Sequence, residues 1–126
     1  MRDKTTKKHF ELFKSEVLKW LNTLGIKGWR LHFYHEDSDD TAGCWAIVRY
    51  KTVDRVAEFV LARTWTSEPL DHEVAQTAFH ECLELLLAPL VNLARERYVS
   101  ENAIVEETHH VIRTIENTFY PDLVVE

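Results

Sequence analysis

The most constraining feature of this 126-residue chain is the segment "TAFHECLELLLAPL", Thr77 to Leu90. At about 100° per residue, Val74, Ala78, Cys82 and Leu85 form one apolar face. Phe79, Leu83, Leu86 and Leu90 cover most of the rest. A helix that is apolar nearly all round has to be buried, so the remaining elements must be arranged around it. His80, Glu81, Glu84 and Thr77 share the one polar sector. This stripe is therefore expected to lie out of open water, where two carboxylates need a histidinium, an arginine or a metal ion beside them.

The preceding "TSEPLDHE" is a helix-start signal, with Asp71 as the capping residue. Pro89 should interrupt the helix, because an interior proline removes a hydrogen bond and kinks the axis. A further segment continues to Tyr98. Ser100 then caps a last helix running to Phe119, with Pro121 helping to end the ordered part.

Towards the N-terminus, Phe10, Phe13, Val17, Trp20, Leu21 and Leu24 recur at three- and four-residue steps, which predicts a helix over Lys4–Leu24, stopped by Gly25. "WRLHFYHE" alternates, as a strand with one face on a core does. His32 and His35 are expected to face solvent. "EDSDDTAG" is a polar turn that lacks the spacing of a calcium loop. "CWAIVRYK" and "VAEFVLART" are two more β-rich runs separated by "TVDR". The expectation is a three-stranded antiparallel meander. The order helix, three strands, helix, helix gives an α+β fold in a single domain spanning residues 1–126.

With 45% hydrophobic residues and 14 aromatic ones (six Phe, four Tyr, four Trp), the chain can bury a core without staples. A net charge of −6 disfavours a nucleic-acid surface. The uninterrupted apolar run Leu85–Val91 is too short to span a bilayer, and no signal peptide is visible, so a cytoplasmic setting without membrane contact is expected. Cys44 and Cys82 form no CxxC pair and read as reduced thiols, with Cys82 in the core.

The chemistry is suggested by His80-Glu81. In the HExxH pattern two histidines one turn apart bind one zinc ion, and the glutamate after the first acts as general base. Here Glu84 takes the second histidine's place, and a carboxylate is also a legitimate ligand. On the last helix the apolar stripe is Ile104, Val111, Ile115 and Phe119, with Thr108 among them. Glu107 and His109 border that stripe and are the candidates for a further ligand, whereas His110 lies on the outer face. His109 would give a His, Glu, His set. Glu107 would give His, Glu, Glu, which suits harder ions such as manganese or magnesium.

On Trp29, "VAEFVLART", "AFHECLELLLAPL" and "EETHHVIRTIEN", the chain resembles small zincin-like metallopeptidases, especially short ones encoded by bacteriophages, and more remotely SprT-like domains. The resemblance covers most of residues 17–119. It implies a minimal zincin-like fold in the cytoplasm, a host's if phage-encoded. It also implies His80 as zinc ligand, Glu81 as general base, a third ligand near Glu107, and a peptide or protein substrate. Glu84 departs from the family's HExxH. The alternative is a catalytically inactive scaffold of the same fold, kept for binding a protein partner.

Overall fold

The structure is a computed structural model and describes residues 3–120; Pro121, expected to help end the last helix, lies outside them. A short strand β1 (Asp3–Lys4) leads into helix α1 (Lys7–Thr23). Strands β2 (Arg30–His35), β3 (Ala46–Lys51), β4 (Val56–Leu61) and β5 (Thr64–Trp65) follow, then helices α2 (Asp71–Ala94) and α3 (Glu101–Phe119). The α+β class expected from the sequence is observed.

The first helix starts later than its apolar period suggests. Lys4 belongs to β1, which pairs antiparallel with β5, and Thr6 is the N-cap, its side chain accepting from the His9 amide. The buried Thr5 is spent on tertiary contacts: its hydroxyl donates to the Ala62 carbonyl at 2.7 Å. That leaves the His35 Nε2, also 2.7 Å from the hydroxyl, as donor to it. His35 stacks on Phe10 and does not stand free in solvent as expected. At the other end of α1, Gly25 adopts φ 70°, the left-handed conformation that stops a helix.

The meander is corrected. The sheet order is β2-β4-β3, with β2 parallel and β3 antiparallel to β4. The physical reason is visible in β4, the most apolar of the three: Ala57, Phe59, Val60 and Leu61 are all fully buried. A strand covered on both faces belongs in the middle. The loop from Glu36 to Trp45 is long enough to carry the chain past β4, so β3 lands on the far edge. Arg49 anchors that loop to the sheet, donating to Glu58 on β4 and to Asp40 in the loop, each at 3.0 Å. Asp37 accepts from the Arg63 and Thr64 amides and the Thr64 hydroxyl. The "EDSDD" turn is thus a set of structural ties.

The core lies between one sheet face and helices α1 and α2, with Phe13, Val17, Phe59, Trp65, Val74, Cys82 and Leu85 all at or near zero exposure. By length and composition α2 alone among the described residues could cross a membrane, although its longest uninterrupted apolar run is short. Here its apolar face is spent on the core, with Val74, Ala78, Cys82, Leu85, Leu86 and Ala88 buried. Two local expectations for α2 change. Its N-cap is Leu70, with no side-chain cap, and Asp71 is the first helical residue. Pro89 does not end it: the helix forfeits one hydrogen bond there and runs on to Ala94.

Helix α3 is capped by Ser100, whose hydroxyl accepts from the Ala103 amide at 3.1 Å. It has no buried residue. Ala103, Glu107, Val111, Thr114 and Thr118 are half-buried towards the body. Of the stripe predicted to face inward, Ile104, Ile115 and Phe119 are exposed, Phe119 by 72%. The helix is rotated so that smaller residues meet α2 and the loop at Gly25, where the Thr118 hydroxyl donates to the Thr23 carbonyl.

Candidate metal and hydrolytic site

The site is built on the polar stripe of α2 and the free edge of β3. In an antiparallel pair, hydrogen-bonded and non-bonded residues alternate. The Ala62 amide donates to the Trp45 carbonyl, so Trp45, Ile47, Arg49 and Lys51 bond to β4. The amides and carbonyls of Ala46, Val48 and Tyr50 therefore point to the open edge. Beside that edge lies a groove of about 630 Å³, walled by β3 and its lead-in residues on one side and by Glu73, Gln76, Thr77, His80, Glu81 and Glu84 on the other. Trp45 fixes the near end of the edge strand by stacking on Trp65 at 4.3 Å.

The three residues singled out by the His-Glu motif converge. Ligand atoms of His80, Glu81 and Glu84 lie within 4.8 Å of one another. They do not share one environment, as the sequence reading expected. The His80 and Glu84 side chains are 70% and 53% exposed and pair through Nε2 and Oε2 at 3.2 Å. Glu81 is 3% exposed. The helix explains the split: Glu81 is turned about 100° from His80, onto the border of the Val74–Ala78–Leu85 face. The buried sector foreseen for all three holds for Glu81 alone.

Glu81 is the most perturbed acid of the site. Burial pushes its pKa up to about 8, and the nearby Glu84 carboxylate adds to the rise. The Val48 amide, on the open edge, works in the opposite direction. Its Oε1 is buried and has no hydrogen-bond partner. A buried, unpartnered carboxylate oxygen costs free energy in the resting protein, which identifies a position where a proton, a cation or a ligand is wanted. The donor set, one imidazole and two carboxylates, could hold a metal ion.

The candidates on α3 are placed elsewhere. Neither Glu107 nor His109 belongs to the convergent group or lines the groove. Glu107 has one buried oxygen without a hydrogen bond, 3.9 Å from Nδ1 of His110. His109 is exposed, beside Val105, Glu106 and Arg113. His110 is exposed, as expected, and also borders a small cleft with Leu85, Leu86 and Pro89 of α2. Cys82 is core, as expected: its Sγ lies 3.6 Å from the Val17 carbonyl, and burial pushes its pKa up to about 12, so the thiol is inert. Cys44 is also a free thiol, and it is exposed.

Two kinds of site residue escape the sequence reading. Glu73 and Gln76 lie on the same helical stripe as His80, and the seven-residue step from Glu73 to His80 could have revealed the first. The edge residues Gly43 to Val48 carry no local signal, because only the strand order places them opposite α2. Comparison with family models, with curated proteins and with solved structures finds no match for this chain.

Proposed function

We propose that this chain is a zincin-type, metal-dependent hydrolase of peptide bonds, working at the groove between α2 and the open edge of β3. The observation that carries the reading is Glu81: a buried carboxylate with an unpartnered oxygen, at the floor of an open groove, within 4.8 Å of two exposed donors. His80 and Glu84 would hold the ion, zinc or a harder ion such as manganese. A divalent ion held there supplies Lewis acidity towards a carbonyl oxygen.

The chain's own groups do the rest. Glu81 takes the proton of the attacking water at Oε1 and returns it to the departing amine. A proton affinity raised this far suits the return of the proton, and beside a divalent ion the Glu81 carboxylate would stay ionised for the uptake. The Val48 amide steadies the carboxylate form. The remaining edge groups, those of Ala46 and Tyr50 and the Val48 carbonyl, hold an extended substrate by adding it as a further strand, which orients the scissile bond along the groove. With His80 and Glu84 as the two ligands from the chain, the ion should bind more weakly than in a site with three.

A second reading is favoured by one specific contact. His80 and Glu84 already satisfy each other at 3.2 Å on the surface, so the stripe can stand without metal in a non-catalytic protein-binding scaffold. Elemental analysis of protein purified with supplied zinc or manganese, paired with cleavage of an unfolded protein substrate, separates the two. Hydrolysis predicts bound metal in the native protein and in Glu81→Gln, with activity lost only in the variant. Absence of bound metal under both conditions would remove the enzymatic reading.

A further inference from the structure

The β3 wall of the groove offers mainly backbone groups, which recognise any extended chain. Selectivity has to come from α2. The ionisable residues on that wall are Glu73, His80, Glu81 and Glu84, and among the described residues no lysine or arginine lines the groove on either side. Glu73 is half-buried and has no ion-pair partner among the described residues, in contrast to the Arg49 cluster on the other face of the sheet. The buried, unpartnered Oε1 of Glu81 is a separate sign that the groove is short of donors and positive charge.

We infer that the groove selects extended peptides carrying lysine or arginine on the side that faces α2, with Glu73 as the specificity-determining carboxylate. The inference rests on the reading of the groove as a peptide site and adds the substrate class. The spacing supports it. Glu73 and Glu84 are eleven residues apart, about 16 Å along a helix. About five residues of extended peptide cover that length, with every second side chain on the helix side. If Glu84 is engaged by a metal ion, Glu73 remains free for a basic side chain. Charge across such a contact sets preference and encounter more than raw affinity, and salt weakens it.

The test uses fluorescently labelled, end-blocked hexapeptides in which valine alternates with lysine, glutamine or glutamate. Binding is read by anisotropy at low salt, with chelator present so that nothing is cleaved. The lysine peptide should bind at least tenfold tighter than the glutamate peptide, with glutamine between them. Glu73→Gln should shrink that ratio at least threefold while leaving metal content unchanged. The exposed Gln76→Lys should shrink it as well. Equal binding of the three peptides overturns the inference, as does no binding of any at millimolar concentration, or a ratio that survives both substitutions. A chain that binds no metal but prefers lysine loses only the hydrolase reading. One that binds metal and cleaves without charge preference loses only the present inference.

Discussion

Helices α2 and α3 both carry histidine and glutamate residues close together in sequence, yet the fold treats them in opposite ways. On α2, seven side chains are buried and the His-Glu-x-x-Glu stripe borders both the core and an open strand edge. On α3 no residue is buried, and Glu107, His109 and His110 fan out around a helix that touches the body along one narrow side. The same residue types make a convergent group in the first case and point in separate directions in the second. A motif acquires chemistry when a neighbouring element closes a groove over it. On α2 that element is β3.

The sharpest way to break this contrast is through activity. Glu81→Gln should lower hydrolysis by about 10²–10⁴-fold, the usual loss with a general base, in a cleavage assay on an unfolded protein. His80→Ala should abolish metal binding, whereas Glu107→Ala and His109→Ala should leave metal stoichiometry unchanged by elemental analysis. Metal lost from either α3 variant would show that α3 reaches the site and would erase the distinction.

Stability should divide the two helices next. Leu85→Ala, at a fully packed position of α2, should cost about 2–5 kcal/mol in denaturant unfolding. Ile104→Ala on the exposed side of α3 should cost within about 0.5 kcal/mol. Equal costs would mean that the exposed stripe of α3 is covered in solution.

The pH dependence tests Glu81 in a metal-free buffer. Its carboxyl titrates near 4.5 in the unfolded chain and near 8 in the fold. Between those values the folded state holds a proton that the unfolded state has lost, so stability must fall as pH rises through this window. The full shift corresponds to roughly 5 kcal/mol. Thermal unfolding at pH 5 and pH 8.5 should show this loss in the native chain and a smaller one in Glu81→Gln. Saturating zinc should reverse it by stabilising the ionised carboxylate. A more local effect concerns the α3 cap. Ser100→Ala should cost about 1 kcal/mol, the ordinary value of a lost N-cap hydroxyl.

Much of this was legible in the residues, and the misses have identifiable causes. The α3 cap at Ser100, the α1 stop at Gly25 and the core role of Cys82 follow from local chemistry. The meander failed because alternation identifies a strand but says nothing of its neighbours. The near-continuous burial of β4 was the available sign that it belongs in the centre. The inward face of α3 was misjudged because its largest apolar side chains were assumed to pack. Of that predicted stripe only Val111 packs inward, and the rest of the fit is made by Ala103, Glu107, Thr114 and Thr118.

The sequence by itself determined the three helices, the strands β2, β3 and β4, and the convergence of His80, Glu81 and Glu84, because alternation and helical period are properties of the chain over a few residues; it did not show the short β1–β5 pair. Only the tertiary structure decided the sheet order, the open β3 edge opposite α2, the burial of Glu81 beside exposed partners, and the separation of Glu107 and His109 from the site. Each of these depends on which surfaces meet across long sequence distances. That is settled by competition for burial of the whole apolar surface, which no local pattern contains.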